Sequence, residues 1–162
     1  MRTSLDSNQI VRRLEMATTR RASIKWTGDL MSGKGLLGEV TSGAFSNLPM
    51  TWASRTEAAD GRTSPEELLA AAHAGCFSMA LSSELAKAGS PPQSLDVTAE
   101  VAADRVDGKW TVVSSKLTVR GRVPGLDQAR FRDLADAAKN GCPISRAIQG
   151  NVALSVEATL EG

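Results

Sequence analysis

Two cysteines, Cys76 and Cys142, and one histidine, His73, are the residues of this chain best able to do chemistry. A single histidine leaves little scope for triads or metal sites, and two cysteines are too few for a disulfide scaffold. Cys76 lies inside a run of small apolar residues, where a free cysteine serves either as a small buried hydrophobe or as a protected nucleophile. Cys142 stands between Gly141 and Pro143, a glycine that ends one helix and a proline that opens the next. Backbone N–H groups and a helix dipole there favour the thiolate, the alternative being a tolerated cap residue. The two are too far apart for a Cys-x-x-Cys motif, so only the fold can bring them together. If it does, the pair offers a nucleophile and a resolving partner for reversible thiol oxidation. Zinc is a rival use: His73 and Cys76 share a helical face and Cys142 could add a third ligand, but a structural site usually takes four. A carboxylate would have to complete that set. His73 on an apolar face reads instead as a hydrogen-bonded core histidine.

Charged groups sit near the same helix. Glu67 fits a capping box with Ser64. Glu66 is available for a charge pair, or else is a solvated carboxylate. Arg55 and Arg62 in the preceding loop are its candidate partners. Glu66 and Cys76 are ten positions apart, roughly 15 Å along a helix axis, so they do not touch directly. A joint role must pass through a long arginine side chain or across a subunit interface.

The elements that must position these groups are legible. Ala22–Trp26 and Leu36–Thr41 read as strands around a glycine-rich turn, with a third short strand around Met50–Ala53 and a loop over Ser54–Thr63. Ser64-Pro65 starts a helix that runs to about Ala88, stopped by Gly89 and Pro91-Pro92. Its small, apolar character nearly all round predicts a buried central helix. A strand from Leu95 towards Val106, an Asp107-Gly108 hairpin and a return strand follow. On the return strand, apolar parity slips near Val113, which predicts a β-bulge. Asp127–Lys139 is an amphipathic helix with Phe131, Leu134 and Ala138 on one side. A short helix from Cys142-Pro143 through Ile148 and a strand over Val152–Leu160 close the chain. This order gives an α+β fold, with a basic arm over residues 1–20 and one domain over 21–162.

Net charge of +1 and six aromatic residues argue against a nucleic-acid footprint. No run approaches the roughly 20 apolar residues of a membrane span, and the N-terminal MRTSLDSNQIVRRLEMATTRR lacks the apolar core of a signal peptide. The expected location is the cytoplasm, with thiols reduced unless they do redox work.

Thr63-Ser64-Pro65-Glu66-Glu67-Leu68, continuing into Ala71-Ala72-His73-Ala74-Gly75-Cys76-Phe77-Ser78-Met79, closely resembles the central-helix signature of the OsmC/Ohr family, the osmotically inducible and organic hydroperoxide resistance proteins. Lys139-Asn140-Gly141-Cys142-Pro143-Ile144-Ser145 resembles its second-cysteine motif, and Ala-His-Ala before Cys76 is more similar to the OsmC branch. The resemblance implies antiparallel sheets around a central helix, two chains intertwined as a homodimer, and a thiol peroxidase for organic hydroperoxides. It implies no metal or organic cofactor, but an external dithiol reductant, lipoyl-type compounds among them. Cys76 then matches the peroxidatic cysteine, Cys142 the resolving one, and Glu66 the glutamate that orients an arginine against the thiolate. Arg55 is assigned as that arginine, with Arg62 as the alternative. Phe77 and Met79 would favour alkyl hydroperoxides. The competing reading is a non-enzymatic dimeric stress or small-ligand-binding protein of the same fold.

Overall fold

A computed structural model describes residues 17–161. The N-terminal arm, including the short helix that Ile10, Val11 and Leu14 could form, lies mostly outside the described residues. The chain forms two compact units, Met1–Thr63 and Ser64–Gly162.

In the first unit, β1 (Ala22–Thr27), β2 (Lys34–Val40) and β3 (Leu48–Met50) form an antiparallel sheet in that order. The β1–β2 turn is held by Asp29, whose carboxylate accepts N–H bonds from Met31 and Ser32 at 2.8 and 2.9 Å. Gly33 and Gly35 lie under the Trp26 ring, where a Cβ would come within about 3 Å of it. The strand expected around Met50–Ala53 ends at Met50, and a helix α1 (Trp52–Thr56) replaces the rest of it and the start of the expected loop. Its cause is a reciprocal cap. Thr51 Oγ1 accepts from the Ser54 N–H while the Ser54 hydroxyl accepts from the Thr51 N–H.

The second unit opens with α2 (Pro65–Lys87). Ser64 is its N-cap, accepting from the Glu67 N–H at 3.1 Å, and proline occupies the first turn. Strands β4 (Ser94–Val106) and β5 (Lys109–Arg122) form a long antiparallel hairpin. Asp107 and Gly108 both adopt positive φ, as a tight hairpin turn requires. Ala102 pairs with Ser114 and Ala103 with Val112, so Val113 is the extra residue of the expected bulge. α3 (Gln128–Gly141), α4 (Pro143–Ile148) and β6 (Ala153–Glu161) complete the unit. β6 joins β5 in parallel, so this sheet is mixed rather than antiparallel throughout. The intervening α3 and α4 make the crossover that a parallel pair needs.

The core lies between this sheet and the helices. Leu117 and Val119 of β5 alternate inward to meet Phe77, Leu81 and Leu85 of α2 and Phe131, Leu134, Ala135 and Ala138 of α3. Gly121 continues that parity because the Phe131 ring lies against it, where a Cβ would sit 2.8 Å from Cε2. The expectation that α2 is buried nearly all round is corrected. Its buried residues form a single stripe, Glu66, His73, Phe77, Leu81 and Leu85, and Met79 is 71% exposed in the single chain. Small residues such as Ala71, Ala72 and Gly75 hide this one-sidedness from a composition reading. α2 is also long and apolar enough, by length and composition alone, to cross a membrane, contrary to the expectation that no segment comes close. Its buried stripe and its helix-end glutamates and lysine are those of a core helix packed on a sheet.

Candidate active site

The fold brings the two cysteines together. The last turn of α3 delivers Cys142 as both the C-cap of α3 and the N-cap of α4. There its Sγ lies 3.1 Å from the Sγ of Cys76, a residue 66 positions earlier on α2. Both are free thiols, and they differ in access: Cys142 is fully buried, whereas Cys76 is partly exposed.

Their electrostatics differ as well. Burial pushes the Cys76 thiol up, and the contact with Cys142 adds to the rise, while only the Ile144 N–H opposes it. Burial also acts against the Cys142 thiolate, but the Ser145 N–H, the Cys76 thiol, the Ser145 hydroxyl and the Ile144 N–H together outweigh it. Cys142 is therefore held below the ordinary thiol range. Within Ser64–Gly162 the more accessible sulfur is thus the less acidic one. These groups hold Cys76 above the ordinary thiol range, not below it.

His73, one turn before Cys76, is fully buried and uses both ring nitrogens. Nδ1 lies 2.7 Å from the Ser115 hydroxyl and Nε2 lies 2.8 Å from the Ser145 hydroxyl. It is the hydrogen-bonded core histidine of the first expectation, turned towards serines rather than towards a shared ligand set with Cys76. Burial holds its pKa below the usual histidine value, which keeps the ring neutral.

Glu66 is buried at the start of α2, not solvated. Its Oε1 faces the Trp110 indole N–H of β5 at 3.4 Å. Arg55 belongs to the first unit, in the last turn of α1, with its guanidinium over the Trp52 ring at 5.7 Å. Arg62 lies in the same unit, 3.9 Å from the Asp60 carboxylate on exposed surface. Phe77 does not line an approach to Cys76: it is fully buried in the core, and Met79 is the exposed apolar neighbour.

A sequence model of the OsmC-like protein family matches residues 58–157. The chain belongs to the OsmC-like protein family. The matched span takes in Glu66, Cys76 and Cys142 and starts after Arg55. The chain is 38% identical over 142 residues to the peroxiredoxin OsmC of Escherichia coli strain K12, covering 88% of this chain and 98% of that protein. It is 33% identical over 91 residues to an organic hydroperoxide resistance protein of Xanthomonas axonopodis pv. citri, covering 56% of this chain and 62% of that one. In three dimensions it matches the crystal structure of an organic hydroperoxide resistance protein from Elizabethkingia anophelis. The TM-score is 0.71 at 23% identity, over 89% of this chain and 99% of that chain, a likeness of fold.

Three residues of this OsmC-like site escaped the sequence reading: Trp110 beside Glu66, and Ser115 and Ser145 around His73. Trp110 and Ser115 come from β5, and Ser145 from α4, at separations of 42 to 72 positions from their partners. No local motif encodes such pairings. The one available signal was Ser145 at the third helical position after Cys142, the position of a capping-box partner.

Proposed function

We propose that this chain is a cysteine-based peroxidase that reduces organic hydroperoxides to alcohols. The observation that carries this reading is the 3.1 Å contact between Cys76 and Cys142, one sulfur accessible and the other buried. The accessible Cys76 thiolate attacks the distal oxygen of the hydroperoxide. The O–O bond breaks, the alkoxide leaves and takes a proton as the alcohol, and Cys76 becomes a sulfenic acid. The Cys142 thiolate then attacks the Cys76 sulfur. The S–S bond forms as the S–O bond breaks, and hydroxide leaves. An external dithiol restores both thiols by exchange and is itself oxidised to its disulfide. Lipoyl-type dithiols fit that role, and the chain's own residues need no further cofactor.

Arg55 is assigned to activate Cys76. Burial raises that thiol, and the resemblance to the OsmC/Ohr motifs supports a cation that offsets the rise, with Glu66 as the carboxylate that orients it. A homodimer fits the uncovered face of α2 around Met79, because an apolar helix face on a single chain calls for a partner. A reducing compartment such as the cytoplasm fits a thiol pair that must be returned to the reduced state after each turnover.

The test is thiol loss after one equivalent of cumene hydroperoxide in the unmodified chain, Cys76→Ser and Cys142→Ser, with mass spectrometry to locate the disulfide. The unmodified chain should lose both thiols with formation of alcohol. Cys142→Ser should stop at the sulfenic acid, and Cys76→Ser should not turn over. Retention of both thiols in the unmodified chain would make it a binding protein of the same fold.

A further inference from the structure

The peroxidase reading gives no work to His73, a fully buried titratable group of the second unit. This residue and Cys76 lie one turn apart on α2, and Ser145 and Cys142 lie one turn apart at the start of α4. The helices are therefore joined twice in parallel, by the sulfur contact at 3.1 Å and by His73 Nε2 to Ser145 Oγ at 2.8 Å. A third link, Ser115 Oγ to Nδ1 at 2.7 Å, fixes the ring to β5 and prevents it from rotating. His73 and Ser115 are fully buried and Ser145 is 2% exposed, so water does not compete for these bonds. We infer that Ser115, His73 and Ser145 form a positioning relay that holds the first turn of α4 against α2 and so keeps Cys142 on Cys76.

The chemistry of the groups suits this task. A neutral imidazole has one donor and one acceptor nitrogen, whereas a serine hydroxyl can do either, so Ser–His–Ser is satisfied in either tautomer. Burial keeps the ring neutral, which preserves the acceptor. Carbon–sulfur stems are short, and disulfide formation tolerates little error in Cα and Cβ placement. α4 has only six residues, so the bond from Ser145 to His73 adds to the packing of Ile144 against the core in fixing its position. The consequence for the resolving step rests on the peroxidase reading, but the positioning itself does not.

The test is the equilibrium between dithiol and disulfide in glutathione buffers, without hydroperoxide. The reaction is protein dithiol plus oxidised glutathione giving protein disulfide plus two reduced glutathiones. Removing the Ser145 hydroxyl in Ser145→Ala should lower the equilibrium constant about tenfold, the scale of one net hydrogen bond. Ser145→Thr, which keeps a hydroxyl, should recover most of it. A folded Ser145→Ala chain with an unchanged constant would overturn the inference. A second measurement uses the unmodified chain, whose single histidine labelled with nitrogen-15 gives one imidazole spin system. Closing the disulfide should shift its Nε2 signal, and identical signals in the two redox states would also overturn the inference. A chain that passes both tests but leaves cumene hydroperoxide intact would refute the peroxidase reading and keep the relay.

Discussion

Closing the Cys76–Cys142 bond should stabilise the chain, and the size of that effect follows from the fold. The two residues are 66 positions apart, so the cross-link ties a long loop. Loop-closure entropy removed from the unfolded ensemble corresponds to about 4 kcal/mol for a loop of this length. The sulfurs must approach by about 1 Å from their 3.1 Å contact to reach a bonded distance. Cys142 begins a short helix and Cys76 is partly exposed, so this movement costs only part of the gain, leaving about 2 to 4 kcal/mol. With a urea slope of about 2 kcal/mol per molar, the unfolding midpoint should rise by about 1 to 2 M. The slope itself should fall, since a cross-linked unfolded chain exposes less surface. The assay is urea unfolding of the reduced chain, the chain oxidised by one equivalent of hydroperoxide, and Cys142→Ser treated in the same way. Only the oxidised unmodified chain should shift. A Cys76–Cys142 disulfide confirmed by mass spectrometry, with the midpoint unchanged or lowered, would refute the reasoning: the thiol pair would then not be preformed in the native fold.

His73 makes stability depend on acid. Its folded pKa lies below the unfolded value of 6.5, so the unfolded chain binds the extra proton. This contribution is complete above pH 6.5 and is lost as pH falls towards the folded pKa, with a limiting slope of about 1.4 kcal/mol per pH unit. Urea midpoints across that range should show it, and a His73→Gln chain should lack it. Gly121→Ala should destabilise by about 1–3 kcal/mol, because the new Cβ meets the Phe131 ring and approaches Leu95 Cδ2 to 3.1 Å; Phe131→Leu in the same chain should recover part of the loss in denaturant unfolding. Ser64→Ala removes the N-cap of the helix that carries Glu66 and Cys76 and should cost about 1 kcal/mol, read as a lower unfolding midpoint.

The parts of this protein that could be read without coordinates are those encoded by neighbours in the chain. Ser64-Pro65 fixed the start of α2, Asp107-Gly108 the hairpin, the parity slip the bulge at Val113, and Gly141-Cys142-Pro143 the junction of α3 and α4. Each is a local conformational preference, and each appears where expected. What escaped is non-local or too short to be periodic. α1 has five residues, and Ser54 takes the third-position role in its reciprocal cap with Thr51, where a glutamate or glutamine would have announced it. The parallel pairing of β6 with β5 and the one-sided burial of α2 depend on contacts across the fold. The same division runs through the site. Cys76 and Cys142 stand out by residue type and by motif, but the hydroxyls of Ser115 and Ser145 and the Trp110 indole are ordinary until the fold places them. That asymmetry has a physical basis. A nucleophile must be a particular element, so its identity is visible in the sequence, whereas a positioning group need only present a donor or acceptor at the right place. The chemistry therefore shows in two sulfurs of the sequence, and the geometry around them in a histidine whose partners lie 42 and 72 positions away.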